Sequence, residues 1–577
     1  MKCSTRSPCL SSPRTRKPRL HMLVGIGVML LASVAWGAQQ PTAVGVAAAA
    51  GGLDPTLGSG GKVTTNFFGS TDGASAIAMQ PDGKIILAGV SFNPNTSDDF
   101  ALARYNPDGS LDTSFGTGGK VNTDFFNLGD EALAVALQPD RKIIAAGRVT
   151  SLITFADFGI ARYNADGSLD TSFGVGGRVT TDFFSNSGDI GTGIAVQPDG
   201  KIIVAGYIFS PSEIADFALA RYNRDGSLDK SFGTGGKVTT DFFRDPDAAF
   251  AITIQPDGKI ILAGIANRSF STTIAAYFAL ARYNPDGSLD TGFGTGGKVT
   301  TDFFGFSFAR GIALQSDGRI VVAGCAFRSP PTFTQDFALA RYSPDGTLDT
   351  SFGSGGKITT DFFGSSNESG LGDEALAVSL QTDEKIITAG RVYNLPTLAL
   401  PVLSDFGLAR YNPDGSLDAS FGTGGKVTTN FFGLNDEARA LTIQRDGRIL
   451  AGGKAFRAAF FPVASEFALA RYQTDLQPDF TLSFDQPRVN AVRGTKVRVT
   501  VNINRIGGFS GDVTLTPPEP AMGIKAKPPS PITTMETSVK LKLKITASAS
   551  PGEHELVFTG SDNSGRVRTA TLKVLVE

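Results

Sequence analysis

The segment Asp336-Phe-Ala-Leu-Ala-Arg-Tyr-Ser-Pro-Asp-Gly-Thr-Leu-Asp-Thr-Ser-Phe-Gly-Ser-Gly-Gly-Lys357 joins a strand-like run to two turn-like ones, and the chain keeps returning to it. Its Ala-Arg-Tyr core recurs seven times, with the arginines at Arg104, Arg162, Arg221, Arg282, Arg341, Arg410 and Arg471. The intervals are 58, 59, 61, 59, 69 and 61 residues, so most of the length variation falls in one of them. A period of this length marks a propeller, solenoid or array, because one such unit cannot bury its own apolar face.

Each unit reads as four strands. In one of them these are Lys120-Val-Asn-Thr-Asp-Phe125, residues 132–138, Lys142-Ile-Ile-Ala-Ala-Gly147 and Phe158-Gly-Ile-Ala-Arg-Tyr163. Pro-Asp-Gly (Pro81-Asp82-Gly83, Pro198-Asp199-Gly200, Pro256-Asp257-Gly258) and Asn164-Ala165-Asp166-Gly167 supply tight turns between strands, Pro setting φ and Gly accepting φ > 0. Four antiparallel strands taken seven times predict an all-β fold, a seven-bladed β-propeller over residues 52–477. The last unit ends after Tyr472 without its closing Lys-Val-Thr-Thr segment, which stands instead at Lys62-Val63-Thr64-Thr65. The first strand is therefore expected to complete the last blade, leaving no open edge.

The recurring aromatic and charged residues read as packing. Each unit has a Phe pair (Phe67-Phe68, Phe125-Phe126, Phe183-Phe184, Phe242-Phe243, Phe303-Phe304, Phe362-Phe363, Phe431-Phe432), expected to pack on both neighbouring blades. Arg104 shares a strand face with Phe100 and Leu102, so its guanidinium should be buried and need an acceptor. Asp124 and its counterparts Asp182, Asp241, Asp302 and Asp361 are the expected partners.

Bulk properties narrow the function classes. Lys+Arg 53 against Asp+Glu 55 gives a net charge of −2, leaving no basic field for nucleic acid. Residues 1–37 read as a secretory signal: a basic start (Lys2, Arg6, Arg14, Arg16, Lys17, Arg19), an apolar run over 22–36, and Ala35-Trp36-Gly37 before the cleavage point. Residues 38–51 follow as a linker. Signal removal would take Cys3, Cys9 and His21, leaving Cys325 and His554 as the sole cysteine and histidine and no internal disulfide. Ser-His, Cys-His and His-ligated zinc chemistry are thereby excluded from the repeats.

Candidate sites are few. Asn106, Asp108, Gly109 and Asp112 fit the third, fifth, sixth and ninth places of a calcium loop, but Arg104 occupies the first, so the segment reads as a hairpin turn. Asp130, Glu131, Asp373, Glu374, Asp436 and Glu437 precede inner strands and would ring a channel mouth, where solvated acids are the expectation. The inner strands themselves (Ala76-Ile-Ala-Met-Gln80, residues 132–138) read as small and apolar. Loops between third and fourth strands vary (90–99, 265–277, 391–405, and 454–466 with Phe456, Phe460 and Phe461), and so do those before second strands (186–192, 365–373). Variable loops on a rigid ring are where a binding surface belongs. Residues 478–577 lose the repeat and show short alternating strands (Lys496-Val-Arg-Val-Thr-Val501, residues 539–545 and 569–576), which predict a small β-sandwich.

The 336–357 phrase, with Gln-Pro-Asp-Gly-Lys-Ile, resembles the bacterial delta-sixty repeat, a β-propeller family of uncharacterised function in secreted and surface proteins. Gly507-Gly-Phe-Ser-Gly-Asp-Val-Thr-Leu515 with Pro551-Gly552 resembles immunoglobulin-like modules of secreted bacterial proteins. The resemblance implies export and a propeller, and brings no catalytic, cofactor or metal residues. The expectation is a non-enzymatic, monomeric binding or scaffold protein, secreted, periplasmic or at the cell surface. It carries no cofactor and no membrane insertion after signal removal, and its variable loop face meets a protein or glycan. The alternative is a propeller hydrolase or lyase with a metal in the central channel.

Overall fold

A computed structural model describes residues 50–577 apart from 152–155, 186, 210–214, 271–273, 329–333, 365–371, 394–402, 459–463, 476–478, 507–508, 510, 521–522 and 564. The expected signal (1–37) and nearly all of the linker lie outside the described residues, as do Phe460, Phe461 and much of the longest variable loops. No helix among the described residues is long and apolar enough to cross a membrane.

The first strand is β1 (Lys62–Thr65), and the first repeat supplies β2 (Asp72–Met79), β3 (Ile85–Asn93), β4 (Ser97–Tyr105) and β5 (Lys120–Thr123), paired in that order as an antiparallel sheet. The next repeat gives β6 (Asp130–Leu137), β7 (Ile143–Val149), β8 (Asp157–Tyr163) and β9 (Arg178–Thr181) in the same order. Among the described residues seven such four-stranded sheets lie between Lys62 and Tyr472, the repeated unit of a β-propeller. The seam is closed by β1, which pairs antiparallel with Ala464–Tyr472 and so becomes the outer strand of the last sheet.

Turn chemistry sets the strand ends. Gly83 (φ 85) donates to Gln80 O between β2 and β3, and Gly109 (φ 86) donates to Asn106 O after β4. Two repeats place a bulkier residue at the first of these turn positions, Arg141 (φ 70) and Glu384 (φ 65), in the region that favours glycine.

The core lies between sheets. Ile86, Phe100, Leu102 and Phe115 of the first repeat pack against Ala132, Ile143, Ala145 and Tyr163 of the second, all buried, and the pattern repeats around the ring. Tyr163 donates from its hydroxyl to Thr123 Oγ1 of the preceding sheet (3.0 Å), and Tyr105 does the same to Thr65 of β1 across the seam (2.8 Å). The Phe pair departs from the expectation. Phe125 is buried with its ring 5.1 Å from Phe100, but Phe126 is 46% exposed. The pair sits in a bend after the outer strand rather than in it, so strand alternation does not govern it.

Beyond the repeats, residues 479–576 form two further sheets around a shared core that includes Phe480, Val501, Leu543, Phe558 and Leu572. Four strands here, Asp479–Phe484, Arg488–Ala491, Ile524–Lys527 and Ile532–Thr534, were not anticipated from sequence.

Candidate binding site at the channel mouth

The two ends of each sheet differ in chemistry. At the end carrying the Asn-Pro-Asp-Gly turns, Arg104 is buried, as expected, but its partner is Asp112 (Nε–Oδ2 2.7 Å), not Asp124. The register explains the correction. Phe100 pairs with Thr123, which sets Asp124 at the far end of the sheet from Arg104, whereas the tight turn folds Asp112 back to it. Lys84 adds a second cation to Asp112 (2.6 Å), and the Arg104 side chain lies over Phe115 (4.5 Å) and donates to Ala165 O of the next repeat. The same pair recurs at Arg162–Asp170, Arg221–Asp229, Arg282–Asp290, Arg341–Asp349 and Arg410–Asp418, and at the seam as Arg471–Asp54. In the calcium-like segment, Asp108 accepts from Ser110 N and Oγ (2.9 and 2.7 Å), the geometry of a turn.

The opposite end, where the variable loops emerge, is not uniform. Every first strand carries a β-bulge at one place, between Ala74 and Ala76, Ala132 and Ala134, Gly191 and Gly193, Ala249 and Ala251, Ala309 and Gly311, Ala375 and Ala377, and Ala438 and Ala440. The bulge needs a glycine opposite it: a Cβ on Gly147 would stand 1.8 Å from Glu131 O. A bulge re-aims one side chain, and the seven bulged residues are Ser75, Leu133, Thr192, Phe250, Arg310, Leu376 and Arg439. All seven line one central cavity of about 510 Å³, joined by Glu131, Arg148, Ile190, Tyr207, Glu374, Arg391 and Glu437.

This cavity corrects the expectation of an apolar channel. Glu131, Glu374 and Glu437 do reach the mouth. Asp130, Asp373 and Asp436 do not: they are buried and accept from the backbone N–H of Phe125, Phe362 and Phe431 (2.8, 2.9 and 2.7 Å). The carboxylates are held in one ionic network. Arg310 and Arg391 pair with Glu374 (2.8 and 2.7 Å), Arg391 and Arg439 with Glu437 (4.0 and 3.1 Å), and Arg148 and Arg439 with Glu131 (3.3 and 3.9 Å). Among the described residues, four guanidinium groups thus face three carboxylates. Across the mouth the lining turns aromatic: Tyr207 meets Phe250 edge-on at 6.1 Å, and the Arg310 guanidinium lies 4.3 Å over Phe250. The neighbouring acids and Tyr393 hold the Arg391 guanidinium above its usual pKa against the opposing effect of burial, while burial raises the Tyr207 phenol.

Sequence reading missed the bulged residues because a bulge shifts side-chain parity by one. A signal was present: aligned on the Ala-rich inner strands, this single position holds Ser, Leu, Thr, Phe, Arg, Leu and Arg while its neighbours stay small. His554 is half-buried, with Nε2 2.8 Å from Ser550 O, and Cys325 is buried with its thiol pKa pushed well up, first by burial.

A family model described as "Domain of unknown function (DUF5122) beta-propeller" matches residues 80–115, 138–173, 197–232, 255–293, 315–352 and 403–421. These stretches are similar to the repeats of that β-propeller family. No curated protein matches the chain. Solved structures similar to it include domains 4 and 5 of the S-layer protein SbsC, at 15% identity and a TM-score of 0.14. That match covers 22% of this chain and 65% of the other, just under two thirds of its length. A hypothetical protein from Leishmania major is 11% identical over 48% of this chain and 82% of the other, with a TM-score of 0.23. A GH43_12 protein retrieved from capybara gut metagenome is 9% identical over 89% and 91%, with a TM-score of 0.25. Likenesses this low leave the propeller's function to be argued from its own residues.

Proposed function

We propose that the chain is an exported, non-enzymatic binding or scaffold protein of the delta-sixty repeat type. In this reading residues 52–477 form a seven-bladed propeller and residues 478–577 an immunoglobulin-like module that spaces or attaches it. Its loop face and channel mouth receive a carboxylate-bearing protein or glycan. The observation that carries this reading is the excess of guanidinium over carboxylate groups around the 510 Å³ mouth, with Tyr207 and Phe250 beside them. Arginine offers a planar fork that pairs two-to-two with a carboxylate, and an aromatic face takes up the apolar side of a sugar or side chain. The metal-dependent hydrolase reading draws less support, because each channel carboxylate already shares its lone pairs with arginine.

A panel of acidic and neutral oligosaccharides and peptides, screened by calorimetry, tests the proposal. Acidic members should bind, and Arg310→Ala with Arg391→Ala should weaken them at least tenfold, on the order of 1.4 kcal/mol. Equal binding of neutral members, or binding that survives the double variant, contradicts it.

A further inference from the structure

The channel mouth is not lined alike on all sides. Ile190, Tyr207 and Phe250 stand on the two sheets before that of Arg310, whereas Glu374, Arg391 and Arg439 stand on the two sheets after it. Arg310 therefore sits where an apolar arc meets an ionic one.

Its side chain is held in a way the other mouth arginines are not. The guanidinium lies over two rings, Phe250 at 4.3 Å and Phe308 at 4.8 Å, and its Nε donates to Oε1 of the buried Glu374 at 2.8 Å. Neither Nη1 nor Nη2 donates to any described residue. Arg439, by contrast, commits both Nη groups, to Glu437 (3.1 Å) and Ser75 (3.4 Å), and Arg391 gives Nη2 to Glu374 (2.7 Å). Arg148 keeps its Nη groups too, but a single 3.3 Å bond to Glu131 holds it. Arg310 is thus fixed by its faces and its Nε, with the Nη edge turned to no partner. That edge is the part of a guanidinium that takes both oxygens of a carboxylate.

The chemistry beside Arg310 limits what can carry that carboxylate. The neutral hydrogen-bonding side chains of the mouth are Ser75, Thr192 and Tyr207. Thr192 Oγ1 already donates to Ala249 O (2.8 Å), and Ser75 Oγ already accepts from Arg439. Only the Tyr207 hydroxyl has no bond among the described residues. A sugar ring laid on this arc would leave most of its hydroxyls without partners, and each unpaired one is costly. An aliphatic or aromatic group meets Ile190, Tyr207 and Phe250 without that loss. A mouth of about 510 Å³ has the volume of a small-ligand pocket, so from a protein it takes a chain end and not a folded surface.

From this geometry, and resting on the binding reading above, we infer that the mouth captures a carboxylate carried directly on an apolar group, with Arg310 as its anchor. In a protein partner this is the carboxyl terminus of a chain ending in an aliphatic or aromatic residue. A free apolar carboxylic acid offers the same chemistry.

The test is calorimetry of the purified full-length protein with four probes: an N-acetylated tripeptide ending in leucine, its carboxamide, 4-methylpentanoate and digalacturonate. The free-acid peptide should bind, and its carboxamide should bind at least about tenfold more weakly. Digalacturonate should bind more weakly than the peptide. If 4-methylpentanoate binds as tightly as the peptide, a small free acid is the source of the carboxylate. If it binds more weakly, the source is a chain end, and both results keep the carboxylate on an apolar group. Arg310→Lys keeps the charge and loses the fork, and should weaken the peptide about tenfold with Tm unchanged. Digalacturonate bound more tightly than the peptide, or peptide binding unaltered in Arg310→Lys, overturns the inference and leaves an acid-binding mouth standing. A carboxamide bound as tightly as the acid overturns it as well. Only the absence of binding by every acid, sugar and peptide alike, brings down the reading beneath it.

Discussion

The two ends of each sheet were built under opposite rules. At the turn end, the Arg221–Asp229 pair, its Lys201 neighbour and the Phe232 ring beneath the guanidinium repeat almost atom for atom from sheet to sheet. At the channel end, the equivalent bulge positions hold hydroxyl, aliphatic, aromatic and guanidinium groups in turn. Repetition at one end means that each copy meets the same neighbour and is there to hold sheets together. Divergence at the other means that the seven positions face one shared space, where, in the proposed binding reading, each can offer a single partner a different group.

The largest effect is expected at the seam. Deleting residues 52–68 removes β1, Asp54 and Thr65, and with them the outer strand of the last sheet, the partner of Arg471 and Arg448, and the Tyr105 acceptor. The exposed strand edge should cost the unfolding its cooperativity, so that the melt followed by circular dichroism broadens or splits. An unchanged melt would remove the case for closure by β1.

Next comes a turn-end arginine. Arg221→Ala leaves Asp229 with Lys201 alone in a largely buried site and should cost about 3–5 kcal/mol in chemical denaturation. A cost below about 1 kcal/mol would place this end among ordinary surface ion pairs.

The two ends should also respond to pH in opposite senses. Burial holds Asp72, Asp373 and Asp436, at the loop end, at a pKa of about 7, despite N–H donors from Phe67, Phe362 and Phe431 that favour the anion. Above the ordinary value of 3.8 the native state therefore keeps protons that the unfolded chain releases. Stability falls as pH rises from about 4 to about 7. At the turn end, burial of Asp112, Asp170 and Asp229 is outweighed by the lysine, serine and arginine around each, holding them well below 3.8. Their contribution is present above that value and is lost progressively as pH falls below it toward the depressed native value. Tm measured in EDTA should peak near pH 4–5 and decline toward neutrality, and Asp436→Asn should flatten the decline. A Tm that climbs from pH 5 to 7 contradicts the assignment.

The smallest effect lies in the turns. Arg141 occupies a glycine conformation (φ 70), so Arg141→Gly should stabilise by at most about 1 kcal/mol. Glu384→Gly should not, because Glu384 also accepts from Gln315 and Ser316 of the preceding repeat (3.0 and 2.7 Å).

Much of the architecture was legible because it rests on local rules applied repeatedly. Pro-Asp-Gly and Asn-Pro-Asp-Gly fix the turns, and the misplaced Lys-Val-Thr-Thr at residues 62–65 announces the seam. What escaped depended on register. Pairing Arg104 with Asp124 looked natural from neighbouring strands, but antiparallel register sends Asp124 to the opposite end and brings Asp112 close. The alternation rule also failed at the bulges, which turn Arg310 and Arg439 into a channel that the Ala-rich strands made look apolar. It failed again at the bend carrying Phe125 and Phe126, where one ring is buried and the other is not.

The central claim is this division between a structural end and a recognition end, and the paired thermal unfolding of Arg221→Ala and Arg310→Ala tests it most directly. At about 0.9 kcal/mol per degree for a domain of this size, Arg221→Ala should lower Tm by about 3–5 °C. Arg310, partly solvated at the channel mouth, should lower it by no more than about 1 °C. Equal shifts, or a larger one for Arg310→Ala, would contradict the account.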